Sequence, residues 1–239
     1  MLSLPDGITT CLFDLDGVLT QTAKVHARAW KEMFDEFLAD RDCAPFELPG
    51  DYDEYVDGKP RLDGVRSFLA SRGIELPEGS DTDPPGAETV VGLGLRKNER
   101  VLALIREQGV EPYEGSVRYL EAARDQGLRR AVVSSSTNCK DVLEAAGIDH
   151  LLEVRVDGVI AERDGLAGKP APDMFLAGAR ALGAEPAQAA VFEDALAGVE
   201  AGRAGNFGWV VGVDRSGQAD ELARRGADVV VRDLAELLP

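Results

Sequence analysis

Two aspartates one residue apart, Asp14 and Asp16, close an apolar run at residues 8–13 and are followed at once by Gly17. On a strand, side chains repeat every second residue, so both carboxylates emerge on one side beyond the strand's end. Crowded carboxylates repel each other, and withdrawing them from water costs more unless a partner compensates. A divalent cation is the simplest partner. A surface turn with two solvated aspartates is the plain alternative, but the flanking apolar residues argue against solvation.

Three further stretches carry polar residues where an apolar run ends. Val133-Ser134-Ser135-Ser136-Thr137-Asn138 sets hydroxyls before a predicted helix. Hydroxyls and free N–H groups at a helix start cradle a phosphate; they also serve as N-caps, and the two uses are compatible. Gly168-Lys169-Pro170-Ala171-Pro172 holds a lysine between glycine and prolines in a chain whose other lysines are only Lys24, Lys31, Lys59, Lys97 and Lys140. By itself this stretch also reads as an exposed turn. Phe192-Glu193-Asp194 ends a strand in two acids, which can complete a hard-cation oxygen shell or, for Asp194, cap a helix.

The elements that position these residues follow from hydrophobic periodicity. From residue 110 onward predicted helices (115–126, 139–146, 172–182, 195–204, 218–225) alternate with predicted strands (130–134, 154–156, 189–192, 208–213, 228–231). That alternation predicts an α/β fold, a Rossmann-like, mainly parallel sheet covered on both faces, whose ligands bind beyond the C-terminal strand ends. Between residues 22 and 109 nothing alternates like a strand. Apolar residues at helical spacing over 22–38, helices at 62–71 and 88–108 (the last interrupted near Gly92 and Gly94) and an exposed Pro/Gly/Asp loop at 76–86 predict an inserted all-helical cap domain. The expected domains are a catalytic core of residues 1–21 and 110–239 and a cap of residues 22–109.

The 239 residues suffice for a core and a smaller second domain, and 44% hydrophobic with 29% charged residues is a globular composition. A net charge of −17 disfavours nucleic acid and anionic membranes as partners. Three scattered cysteines without a C-x-x-C pair, no charged and apolar leader, and no apolar run near ~20 residues lead us to expect a cytoplasmic protein. A monomer acting on a small molecule is expected.

Taken in order, Asp14-x-Asp16-Gly17, Ser134, Lys169 and Glu193-Asp194 resemble the four motifs of the haloacid dehalogenase-like phosphotransferases. The ordered set is specific where no single piece is. Within that family the run from Asp14 to Lys31, with Thr22, His26 and Trp30, is similar to the mutases of β-glucose 1-phosphate, as are Gly58-x-x-Arg61, Arg96-Lys97-Asn98 and Ser134 to Asn138. The loop at 76–86 is longer than in that pattern.

The resemblance implies that Asp14 takes up the phosphoryl group and that Asp16 is general acid, then base. It implies Mg²⁺ on Asp14, the Asp16 carbonyl and Asp194, with Glu193 at or just behind the shell, and Ser134 and Lys169 on the phosphoryl oxygens. Thr22 and His26 would support Asp16, while Gly58, Arg61, Lys97, Trp30, Ser135, Ser136 and Asn138 would contact a sugar phosphate. Outside that context His26 is a packed histidine and Arg61 and Lys97 are solvated charges. The implied reaction interconverts β-D-glucose 1-phosphate and glucose 6-phosphate. The alternatives are a Mg²⁺-dependent sugar-phosphate phosphatase on the same core and a non-catalytic phosphosugar-binding protein.

Overall fold

Six short apolar segments form one parallel sheet in the computed structural model, which describes residues 2–239. They are β1 (Thr10–Phe13), β2 (Arg129–Val133), β3 (Val154–Val156), β4 (Ala189–Glu193), β5 (Trp209–Val213) and β6 (Val229–Val231), in the order β3-β2-β1-β4-β5-β6. Every pairing is parallel; Phe13, the last residue of β1, lies level with Val132 and Phe192. Because all strands run one way, the residues that follow them gather along one edge. The order reverses between β1 and β4, where a crevice opens.

Alternate residues of each strand feed opposite faces. Phe13 and Phe192 stack at 4.6 Å between centroids and pack with Tyr119, Val142 and Leu234 on one face. Leu12, Val133 and Val191 pack with Met174, Phe175 and Val199 on the other. The covering helices are α4 (Glu114–Asp125), α5 (Cys139–Ala146), α6 (Gly158–Asp164), α7 (Asp173–Ala181), α8 (Leu196–Ala204) and α9 (Ala219–Arg225).

Between β1 and α4 the chain forms α1 (Ala23–Leu38), a π-helical turn (Tyr52–Val56), α2 (Arg61–Ser71) and α3 (Val90–Gln108), with no strand among the described residues. This block has its own core, in which Trp30, Phe34, Phe46, Phe68 and Leu93 pack together. It joins the sheet through two adjacent crossings: Gln21 donates its N–H to the Glu111 carbonyl (2.9 Å), and Tyr113 to that of Leu19 (2.9 Å).

The structure corrects two readings. α3 is not interrupted at Gly92 and Gly94. A Cβ at Gly92 would lie 2.3 Å from the Ala87 carbonyl oxygen, and one at Gly94 2.6 Å from Leu62 Cδ2, so these glycines allow close packing and do not break the helix. α6 was not expected at all. It fully buries no residue and so leaves no periodic pattern; its start is marked only by Asp157, whose Oδ1 accepts from Ile160 N (3.0 Å).

Candidate active site

Asp14 leaves β1 with its N–H on the Phe192 carbonyl (2.9 Å), which seats it between β2 and β4. Gly17 then turns with φ +86°, in the region that glycine adopts readily, and closes its N–H on the Thr20 carbonyl (2.8 Å). A Cβ there would fall 1.7 Å from Asp194 Oδ2, so any side chain at this position would displace the Asp194 carboxylate.

Lys169 is buried beneath them. Its Nζ donates to Asp14 Oδ1 (2.5 Å), Glu193 Oε1 (2.5 Å) and the Val133 carbonyl (3.2 Å), which excludes the exposed-turn reading. The second Glu193 oxygen accepts from Ala195 N (2.9 Å), so both its oxygens are engaged. The Asp194 carboxylate makes no hydrogen bond or ion pair among the described residues; Ala195, not Asp194, is the N-cap of α8.

Oxygens of Asp14, Glu193 and Asp194 lie within 4.8 Å of one another. Burial pushes the Asp14 carboxyl up to about 6 and Glu193 up to about 7, with Lys169 pulling both back. Asp194 is pushed well above the carboxylate range by burial and then by Asp57, Glu193 and Asp14. Burial opposes the Lys169 charge, but Asp14 and Glu193 outweigh it and hold the ammonium above its ordinary pKa. One ammonium against several buried carboxylates leaves uncompensated negative charge, and the unpartnered hard oxygens of Asp194 fit a divalent cation.

A second group surrounds Asp16. Thr22, at the N-cap position of α1, donates its hydroxyl to Asp16 Oδ1 and caps nothing; the Thr20 hydroxyl lies 2.7 Å behind it. His26 Nε2 faces Asp16 Oδ1 at 3.6 Å and has no hydrogen-bond partner, while Nδ1 lies 3.0 Å from Lys97 Nζ. When Lys97 is an ammonium it only donates, and Nδ1 then accepts with the ring proton on Nε2, toward Asp16. Burial, then Lys97 and Arg61, hold His26 well below its usual pKa and therefore neutral. Asp16 is raised by burial against the Thr22 hydrogen bond, which suits a group that must carry a proton. Lys97 is buried, not solvated: its Nζ sits 4.8 Å above the Trp30 ring, and burial lowers it to about 7.

One cavity of about 580 Å³ joins these groups to the helical block. Asp14, Asp16, Asp194, Ser134, Thr137 and Asn138 line it from the sheet side, and Trp30, Arg61 and Lys97 from α1, α2 and α3. The hydroxyl-rich loop caps itself, since Ser134 Oγ accepts from Ser136 N and Ser136 Oγ from Asn138 N, both at 3.1 Å. Ser135 points its hydroxyl across the gap to the Gly58 carbonyl (2.7 Å), and Asn138 Nδ2 donates to Asn98 Oδ1 (3.0 Å). A Cβ at Gly58 would lie 2.8 Å from Ala195 Cβ, so block and core touch closely there. Arg61 reaches Thr137 Oγ1 at only 3.5 Å, and its Nε is buried without a partner, as an anion-binding guanidinium would be.

Arg96, which shares the run of similarity with Lys97 and Asn98, faces elsewhere: its Nε donates to the Pro85 carbonyl (2.9 Å) and anchors the end of the 76–86 loop. Asp57 is a cavity residue that sequence reasoning missed. Burial pushes it up to about 8 despite a hydrogen bond from Tyr52, and nothing in its local sequence marks it.

The sequence profile of the haloacid dehalogenase-like hydrolases matches residues 8–206. A β-phosphoglucomutase of Mycobacterium tuberculosis (strain CDC 1551 / Oshkosh) is 57% identical over 100% of this chain and 94% of its own. One from Bacillus subtilis (strain 168) is 33% identical over 95% and 90%. Among solved structures, a hydrolase from Pseudomonas syringae superposes with a TM-score of 0.79 at 25% identity, covering 96% of both chains. A β-phosphoglucomutase from Clostridium difficile superposes with a TM-score of 0.75 at 25% identity, covering 96% of this chain and 93% of that one. The chain belongs to the haloacid dehalogenase-like hydrolase family and is an enzyme of that family.

Proposed function

We propose that this enzyme interconverts β-D-glucose 1-phosphate and glucose 6-phosphate through an aspartyl phosphate on Asp14 and a sugar bisphosphate. The observation that carries the reading is a single cavity served by two separate cations. Lys169 lies beneath Asp14, which lines the cavity with Ser134, and Arg61, with its unpartnered Nε, lines it from α2. A mutase must hold one phosphate while the other reacts and then exchange them, and a bisphosphate fits such a cavity in either sense.

Asp14 attacks phosphorus in line with the leaving oxygen, using the carboxylate oxygen not held by Lys169. Asp16 gives its proton to the departing sugar oxygen and takes it back from the hydroxyl that later attacks the aspartyl phosphate. Thr22 fixes the Asp16 carboxyl, and the neutral His26, backed by Lys97, offers its Nε2–H toward it. Ser134 holds an equatorial phosphoryl oxygen, and the Lys169 charge beneath Asp14 balances the negative charge gathered there. Mg²⁺ would be held by Asp14, the Asp16 carbonyl and Asp194, with Glu193 behind them fixing Lys169, and when bound it supplies positive charge against the phosphoryl oxygens.

In this reading residues 1–21 and 110–239 are the catalytic core and residues 22–109 a cap that closes over the substrate, with Gly58, Trp30, Ser135, Ser136 and Asn138 completing the wall. The protein is taken as a cytoplasmic monomer without nucleic-acid or membrane partners; no helix among the described residues is long and apolar enough to cross a membrane. The test is a coupled assay for glucose 6-phosphate from β-glucose 1-phosphate, primed with glucose 1,6-bisphosphate. Phosphate release without glucose 6-phosphate would show a phosphatase and overturn the mutase reading.

A further inference from the structure

Arg215, in the loop after β5, lies outside the cavity and touches no group assigned so far to the chemistry. It is also unlike most arginines of this chain, which pair with acids at the surface. Its side chain is 18% exposed, and its donors go mainly to backbone: Nε to the Gly17 carbonyl (2.8 Å) and Nη1 to the Arg232 carbonyl (2.6 Å), with Asp233 Oδ2 at 3.3 Å. Its Cζ stands 3.6 Å over the ring of Tyr113.

These contacts meet at the two crossings between sheet and helical block. Gly17 opens the outgoing crossing, directly after Asp16, and its carbonyl belongs to the peptide that leads into the turn closed by Thr20. Tyr113 ends the returning crossing, which is paired with the outgoing one through Gln21 to Glu111, Tyr113 to Leu19 and the Thr20–Pro112 bridge. One rigid planar guanidinium therefore holds both crossings against the C-terminal segment. The same loop braces β4's end: Gln218 Nε2 donates to the Asp194 carbonyl (3.2 Å), and Asp214 Oδ1 accepts from Gly217 N and Gln218 N (2.7 and 2.9 Å).

We propose that Arg215 is a positioning residue that pins the hinge, holding the Asp16–Gly17 turn so that Asp16 meets the leaving oxygen when the helical block closes. The catalytic half of this statement rests on the reaction proposed above. The mechanical half does not. Fixing a carbonyl next to the acid is a matter of geometry, and a shift of about 1 Å at such a group is worth about 100-fold in rate.

The test is Arg215→Ala in the full-length protein. Amide exchange at Gln21 and Tyr113, whose hydrogen bonds tie the crossings, should quicken about tenfold, while amides of β4 and β5 keep their protection. The kcat on β-glucose 1-phosphate should fall about tenfold or more with KM changed less than about twofold, and the single-turnover release of p-nitrophenolate from p-nitrophenyl phosphate, a leaving group that needs no proton from Asp16, should slow less than about twofold. Unchanged exchange at Gln21 and Tyr113, exchange raised equally in the sheet, or equal losses on both substrates would each overturn the proposal.

If the alanine variant does not fold, Arg215→Lys decides in its place. An ammonium can bond one carbonyl but cannot also bond the second and lie flat on the ring. The same selective pattern is expected at smaller amplitude, and a uniform loss counts against the proposal. A wild-type enzyme that makes no glucose 6-phosphate would sink the mutase reading, and the exchange data alone would then judge the hinge.

Discussion

Lys169→Met removes the one cation among the described residues that pairs with Asp14 and Glu193, while preserving most of the side chain's volume. The lysine is buried and bonds both carboxylates at 2.5 Å. Deleting one partner of a buried ionic group costs about 3–5 kcal/mol, because the remaining charge is left unpaired. For a chain of this length each kcal/mol moves Tm by roughly 2–4 °C, so metal-free protein at pH 8 should lose about 6–20 °C.

The loss should depend on pH, with a definite sign. Asp14 and Glu193 already have folded-state pKa values raised to about 6 and about 7, chiefly by burial, and removing the lysine raises them further. A carboxyl group whose folded pKa exceeds its unfolded value contributes stability that is present at low pH and lost as pH rises through the folded value. At pH 5 a bound proton replaces the missing ammonium, so the fall in Tm should be less than half that at pH 8. Thermal unfolding followed by circular dichroism in chelator at both pH values measures this, and Mg²⁺ added at pH 8 should restore part of the loss. An equal fall at pH 5 and 8, or a loss below about 1 kcal/mol at pH 8, would refute the reasoning. Turnover should drop by about 100- to 1,000-fold, the scale for removing a preorganised donor from the transition state.

Three further outcomes follow from the same geometry. Asp14→Asn should abolish turnover and phosphoenzyme formation, yet leave Tm unchanged or raised, since it relieves a crowded acidic cluster; residual steady-state turnover would remove Asp14 from the nucleophile's role. Asp194→Asn should weaken Mg²⁺ binding about tenfold or more by calorimetry while stabilising the metal-free protein, because its carboxylate is buried without a partner; unchanged affinity would place the ion elsewhere. Arg61→Ala should reduce mutase turnover about 100-fold but p-nitrophenyl phosphate hydrolysis only slightly, as that substrate has no second phosphate; parallel losses would mean that Arg61 is not the distal clamp.

What could be read from the chain and what could not divides along sequence distance. Asp14-Leu15-Asp16-Gly17, Ser134, Lys169 and Glu193-Asp194 were legible because each is local: an apolar run stops and a polar or constrained residue follows, and parallel strands carry all such ends to one edge. Their order also carried the family resemblance. The alternation of helix and strand after residue 110, and its absence before, was legible for the same reason, because burial of one face imposes a period on neighbouring residues. α6 escaped because its seven residues fully bury none of their number.

The rest belongs to tertiary structure. Gly92 and Gly94 look like helix breakers until Ala87 and Leu62 are brought against them. Lys97 looks solvated until α3 lays it on His26, 71 positions away, and nothing near Ser135 in the sequence announces that its hydroxyl bonds the Gly58 carbonyl. Arg215 has no motif at all, since its partners are mostly backbone atoms of residues 17 and 232, and any sequence supplies those. The sequence by itself determined which groups can do the chemistry, because residue type and local period decide that. Only the folded chain decided which cation faces which carboxylate and where the hinge is held, because those energies depend on distance and burial, which are set by residues far apart in sequence.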